Sequence, residues 1–229
     1  MNGPAERIAG NLARLRTRIA EASVRSGRSP EDVALVAVSK TFGPEYVLAG
    51  YDLGLRHFGE NRMEEAEKKL ASVQEGLHGR ETPTWHMVGH LQTNKAKIAT
   101  ELFDVIHSVD SLRAAEAISQ YCNGDKEVLI QVNVAGESSK HGFALQDTIA
   151  ALEHIARLPH LRIKGLMTIA PYTDDAEEIR PVFRRLRLMR DSLGLEHLSM
   201  GMSLDFEVAI EEGATLVRIG QAIFGGREE

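Results

Sequence analysis

Lys40, Ser203 and Arg218 are chemically capable side chains that fall where apolar runs end. Lys40 follows the run Val33–Val38 through Ser39 and shares strand parity with Val38, Val36 and Ala34. That parity predicts a partly desolvated lysine at the mouth of whatever the strand builds. Burial disfavours an ammonium and supplies the neutral amine that condenses with an aldehyde to a Schiff base. A surface lysine capping the strand is the alternative.

Leu198–Ser203 (LSMGMS) runs directly into a helical pattern, and Leu216–Gly220 (LVRIG) runs into Gln221–Gly225. Glycines let the backbone approach a ligand closely, while free amides at a helix start and the Ser203 hydroxyl suit a phosphate dianion. Taken singly, Ser203 reads as a helix cap and Gly220 as an ordinary turn. Their joint occurrence raises the ligand reading. Arg218 sits between Val217 and Ile219 and alternates with them. If it points inward, its permanent charge needs an acceptor such as a carboxylate or an unprotonated ring nitrogen.

Other candidates divide between chemistry and packing. Asn61, three residues before Glu64, reads equally as a helix N-cap and as a ligand contact. His86 and His90 are spaced like a metal pair, but Gly89 and the apolar residues between them suggest a strand end, and no Glu follows His86. Packed or hydrogen-bonded histidines are expected there, and no metal. Cys122 is expected to end a helix as a small apolar residue, and Lys95 and Lys97 to be surface charges.

These residues need a scaffold. Ile8, Leu12, Leu15 and Ile19 form the stripe of an amphipathic helix ending near Gly27. Apolar runs then begin at Val33, His57, Trp85, Val105, Val128, Arg162, His197 and Leu216. Helical patterns fill Glu64–Leu70, Ala114–Tyr121, Gln146–Leu158, Asp174–Leu193 and Asp205–Glu212. Strands alternating with room for crossover helices predict parallel pairing, and eight such units predict a closed (β/α)₈ barrel of the TIM type, a single domain over 1–229 with an extra N-terminal helix. An open doubly wound sheet is the alternative. In barrels the chemistry lies at the C-terminal ends of strands, with phosphate frequently held after the seventh and eighth.

Composition narrows the function classes. The 229 residues carry a net charge of −6, which offers no surplus of positive charge for gripping nucleic acid or an anionic membrane. The single cysteine, Cys122, excludes an internal disulfide framework. The N-terminus lacks a secretory core and no run approaches a membrane span, so a cytoplasmic protein is expected. A lysine for an aldehyde, a cradle for a phosphate and an inward arginine together describe a site for pyridoxal 5′-phosphate (PLP).

The chain resembles the YggS/PROSC-type PLP homeostasis proteins of the alanine-racemase-like barrel class. The matching stretches are AVSKTF (Ala37–Phe42), HFGENR (His57–Arg62), WHMVGHLQTNK (Trp85–Lys95), IHSVDS (Ile106–Ser111), QVNVAGESSKHGF (Gln131–Phe143), GLMTIAPY (Gly165–Tyr172), LSMGMS (Leu198–Ser203) and VRIGQAIFG (Val217–Gly225). They occur in order over nearly the whole chain, which makes the resemblance specific. It implies Lys40 as the lysine of the internal aldimine. It also implies Ser203, Gly220 and Gln221 around the phosphate, Gln221 mainly through its backbone N–H, and Arg218 facing the pyridine nitrogen. Asn61 and Gly201 lie in motifs that line the same pocket.

A guanidinium cannot accept a proton, so Arg218 would keep that nitrogen unprotonated and weaken the ring as an electron sink. Racemisation also needs a second acid/base on the opposite face. Racemase-like barrels take theirs from a C-terminal β domain, whereas only Gly226–Glu229 follow Gly225 here, and Ile169 stands where those barrels tend to have a ring-contacting histidine. The expected function is therefore a PLP carrier or reservoir in vitamin B6 homeostasis, without robust catalysis. A low-activity amino-acid racemase or decarboxylase and a PLP-gated regulatory module are the alternatives. PLP-dependent apo-enzymes or PLP-synthesising enzymes are the expected partners and a monomer the expected state. Lys140 reads as a solvated loop lysine in preference to a second, transient PLP site.

Overall fold

Parallel pairing throughout is what the chain adopts in its computed structural model, which describes residues 4–137 and 139–226. The strands are β1 (Ala34–Val38), β2 (His57–Glu60), β3 (Thr84–Met87), β4 (Val105–Val109), β5 (Lys126–Asn133), β6 (Phe143–Ala144), β7 (Leu161–Met167), β8 (His197–Ser199) and β9 (Leu216–Ile219). The helices are α1 (Pro4–Arg25), α2 (Pro44–Asp52), α3 (Met63–Gly76), α4 (Ala96–Leu102), α5 (Leu112–Tyr121), α6 (Thr148–Ile155), α7 (Arg180–Leu193), α8 (Phe206–Glu211) and α9 (Gln221–Phe224). β1, β2, β3, β4, β5, β7, β8 and β9 form a ring, closed where β9 pairs with β1 (Ala34 opposite Leu216) and where β4 pairs with β5. The two-residue β6 is added to the end of β5. The open doubly wound sheet is thereby excluded.

Two apolar layers hold the ring. Outward strand residues such as Ala37, Phe58, Ile106 and Val217 pack beneath the helices in the larger core. Inside the ring, Val36, Val38, Val88, Leu129, Met167 and Leu216 form a smaller cluster. The α1 stripe is buried as expected, and the helix packs against α2, α8 and α9, where the Asn11 side-chain amide donates to the Ile223 carbonyl at 2.8 Å. Among the described residues no helix is long and apolar enough to cross a membrane.

Strand starts agree with the sequence pattern to within about two residues. The helices differ more. The pattern from Asp174 opens as a turn and a 3₁₀ segment, Ala176–Ile179, capped by the Asp175 side chain. Only then does α7 begin, with Pro181 in its first turn, where its missing N–H costs no helical bond. Likewise Leu145–Asp147 is 3₁₀ and α6 stops at Ile155. α2, α4 and β6 have no counterpart among the predicted elements, and α9 is expected only as a helix start at Gln221; these elements span two to nine residues.

Candidate functional site at the C-terminal mouth

Lys40 occupies the tip of a turn whose flanks are fixed from behind. After Val38 the chain enters Ser39, fully buried, and turns at Thr41 with φ of 69°. The Ser39 hydroxyl donates to Glu60 Oε1 at 2.6 Å, and Lys69 Nζ donates to the same oxygen at 2.8 Å and to the Ser39 carbonyl at 2.7 Å. Lys69 also reaches Glu65 at 3.0 Å, and Glu65 accepts from the Thr41 N–H. Burial pushes the Glu60 carboxyl up, against the pull of Lys69 and Ser39. The Phe42 ring then packs at a tilt against both Tyr46 and Phe224, centroids 5.1 Å away in each case, tying the turn to α2 and α9.

The structure corrects one feature of Lys40. Its side chain is exposed on the rim, not desolvated by the strand, because β1 ends at Val38 and the lysine stands beyond the ring wall. Position, not burial, brings it to the cavity.

The opposite wall comes from the loops after β8 and β9. Gly201 has φ of 92°, a conformation that favours glycine. A Cβ there would come within 2.6 Å of the Ala209 Cβ and 2.9 Å of the Phe206 Cα. Gly201 therefore permits the loop to press on α8 and lies behind the cavity wall instead of lining it. Asp205 accepts from the Met202 N–H at 2.5 Å and so folds the loop that presents Ser203. Burial pushes its carboxyl up, while Met202 and Arg218 pull the other way. Ser203 is not the cap of α8; the N-cap position belongs to Asp205. Nor is Asn61 the cap of α3, which starts at Met63 with Arg62 at its N-cap.

Gly220 ends β9 and opens α9, whose first-turn amides include that of Gln221. A Cβ on Gly220 would lie 2.8 Å from the Val38 carbonyl oxygen. Gly220→Ala is expected to force the turn off β1 and cost about 1–3 kcal/mol, read as a lower denaturant midpoint; an unchanged midpoint would show that the seam gives way.

Arg218 forms the floor. It is buried, and its Nη1 donates to Ser199 Oγ at 2.6 Å while Nη2 donates to the Thr168 carbonyl at 2.9 Å. Burial pushes the guanidinium down to about 10, with Asp205 opposing, which leaves a cation at neutral pH. Lys40, Asn61, Ser203, Arg218, Gly220 and Gln221 all line one cavity of about 380 Å³. Its volume lies in the range of small-molecule sites. A primary amine on one wall, a hydroxyl and helix-start amides on another and a buried cation below match an aldehyde, an anionic tail and a ring acceptor.

Other sequence candidates fall elsewhere. His86 points into the ring, whereas His90 leaves it and bonds Asp110 at 2.7 Å. His141 approaches the same carboxylate and stacks on His90, ring centroids 3.9 Å apart and planes 13° from parallel. Two parallel imidazoles cannot both aim in-plane lone pairs at one ion. Lys140 is not a solvated loop lysine. It donates to the Ala170 carbonyl at 2.8 Å and pairs with Glu137, clamping the loop that carries the lining residue Ile169. Cys122 caps α5 as expected, and Lys95 pairs with Glu64 on the surface.

Glu60 and Lys69, which set the Lys40 turn, went unnoticed in the sequence. Lys69 had a visible signal: it falls on the α3 stripe of Met63, Ala66, Leu70 and Val73, where an apolar residue is due.

The family model for the alanine racemase N-terminal domain matches residues 10–228. A pyridoxal phosphate homeostasis protein of Pseudomonas aeruginosa is 44% identical, with 96% of each chain covered. Another of that name from Aquifex aeolicus is 43% identical over 95% of this chain and 97% of its own. Among solved structures, PipY of Synechococcus elongatus with PLP bound superposes with a TM-score of 0.81 at 36% identity, covering 95% of this chain and all of its own (100%). An alanine racemase of Clostridium difficile shares the fold at 14% identity and a TM-score of 0.70, with 98% of this chain matched to 58% of that one. On motifs, ring and mouth alike, the chain belongs to the family of pyridoxal phosphate homeostasis proteins, built on the alanine racemase N-terminal barrel.

Proposed function

We propose that the chain binds PLP in the mouth cavity and serves as its carrier or reservoir in vitamin B6 homeostasis. The observation that carries this reading is the convergence of Lys40, Ser203, Gly220, Gln221 and Arg218 on one cavity. Lys40 would supply the amine for a Schiff base with the aldehyde, one water being released. Ser203 and the amides at the start of α9 would hold the phosphate. Arg218, a donor that cannot accept a proton, would face the ring nitrogen and leave the bound group a poor sink for carbanion charge.

The lining also favours storage over turnover. Among the described residues, the other titratable groups at the cavity are Tyr172 and Asp205. The Tyr172 hydroxyl donates to Asp174 at 3.2 Å and Asp205 is turned back onto Met202. Neither is a spare base. On this reading the protein is a single-domain cytoplasmic monomer that hands PLP to apo-enzymes.

The purified protein is expected to absorb in the visible as a Schiff base, and borohydride should fix the label on Lys40. Lys40→Ala should abolish the band while keeping stability within about 0.5 kcal/mol, as for an exposed substitution. A label mainly elsewhere, or a band that survives in the variant, would overturn the assignment. Sustained α-proton exchange of amino acids by the loaded protein would replace storage with catalysis.

A further inference from the structure

The inside of the ring is not wholly apolar. Beside the cluster of Val36, Val38, Val88, Leu129, Met167 and Leu216, polar side chains from β9, β8, β4, β3 and β2 form a continuous row that crosses the interior between β8 and β4. Arg218 Nη1 bonds Ser199 Oγ at 2.6 Å, Ser199 Oγ meets His107 Nδ1 at 2.8 Å, His107 Nε2 meets His86 Nδ1 at 2.8 Å, and His86 Nε2 meets His57 Nδ1 at 3.0 Å. Arg218 lines the cavity at the C-terminal mouth. His57 and His86 line a second cavity, of about 640 Å³, at the N-terminal mouth. The row therefore spans the barrel from one opening to the other, and nothing in the binding of an aldehyde and a phosphate requires it.

Counting donors fixes its direction. A guanidinium only donates, so Ser199 Oγ accepts from Arg218. The Ser199 hydroxyl proton then needs an acceptor, and the partner recorded for it among the described residues is His107 Nδ1. With that nitrogen accepting, neutral His107 carries its proton on Nε2 and donates to His86, which donates in turn to His57. His57 is left presenting Nε2–H to the second cavity. Any other alignment strands a buried donor. Burial holds His57 below its usual value, His86 down at about 3 and His107 well below the imidazole range, so all three are neutral at pH 7.

We propose that His57, His86, His107 and Ser199 are positioning residues that form a one-way hydrogen-bond relay, holding Arg218 and coupling its guanidinium to the cavity at the opposite mouth. A donor presented to His57 from that cavity requires every ring to reverse. His107 then donates to Ser199, whose own O–H loses its acceptor beside Arg218. The groups able to bias His57 are Arg28, Glu31, Asp32, Glu127, Glu196, His86 and His197, which share the cavity with it. The coupling itself is independent of PLP; only what Arg218 faces rests on the function proposed above.

Nitrogen-15 NMR of the PLP-free chain tests the relay directly. At pH 7 all three rings should be neutral with the proton on Nε2, and a ring protonated on Nδ1 would overturn the direction. His86→Leu, which cuts the row midway, should shift the Arg218 guanidinium resonance and, in the loaded protein, move the visible band and weaken PLP binding about tenfold. His57→Asn, which keeps an acceptor near the Nδ1 position, should restore wild-type values, whereas His57→Leu at the half-buried end should not. His57→Leu also serves if His86→Leu fails to fold. Unmoved Arg218 signals in the cut variants would sink the relay. Absence of PLP binding by the wild type would instead sink the function reading, with the NMR comparison still deciding the relay.

Discussion

Acidification from pH 7 to pH 5 is expected to cost the folded state about 4 kcal/mol through His86 and His107 alone. Both rings are buried, His86 pushed down to about 3 and His107 well below the imidazole range, whereas an unfolded chain takes up their protons near pH 6.5. Below that value the unfolded state binds more protons, so stability is complete above about 6.5 and declines as pH falls. Each ring contributes roughly 1.4 kcal/mol per pH unit in that window. Glu60 and Asp205, whose carboxyls are raised by burial, act in the opposite sense at the lower end, because the folded state holds their protons more tightly. Urea denaturation at pH 7, 6 and 5 checks the slope. His86→Leu should flatten it, and a wild-type slope near zero would show that the rings accept protons where they stand.

Lys69→Met should be the most damaging single change near the mouth, costing about 3–5 kcal/mol, as expected when one partner of a buried ion pair is removed. The side chains of Lys69 and Glu60 are 4% and 0% exposed, and Glu60 Oε2 already has no partner among the described residues. Without the ammonium, Oε1 keeps only the Ser39 hydroxyl, and the Ser39 carbonyl loses a donor. The double variant Lys69→Met with Glu60→Gln should recover much of the loss, since an amide carries no charge to strand. Denaturant midpoints of the two single variants and the double would measure the coupling. Additive losses would mean that the pair does not act as a unit.

The ring and the mouth were legible because their signals are local. Apolar runs buried on both faces announce strands, and residues just past each run land at one end of a barrel whatever the helices do. Lys40, Ser203 and Gly220 stood out on that ground, Asn61 equally as a cap, Arg218 by its alternation within an apolar run, and Gln221 through the resemblance to the family; all six line one cavity. The exposure of Lys40 was not legible, because parity tells which way a residue points only while the strand continues, and β1 stops two residues earlier. The contact of Gly201 with α8 was not legible for a related reason: a glycine that admits a ligand and one that admits a neighbouring helix look the same in a sequence. The histidine row was invisible for want of adjacency. His57, His86 and His107 sit in three separate strands with ordinary apolar neighbours; pairing of β2, β3 and β4 brings them into line, and only the closed ring brings Ser199 and Arg218 to the end of that line.

The seam between β1 and β9 joins residue 34 to residue 216. During synthesis on the ribosome, the first strand must wait for nearly the whole barrel to be made before one of its two neighbours exists. Until then the nascent chain carries a parallel sheet with two unguarded edges, the arrangement most apt to stick to other chains. Premature stops before Leu216 should therefore yield insoluble product instead of a smaller working barrel.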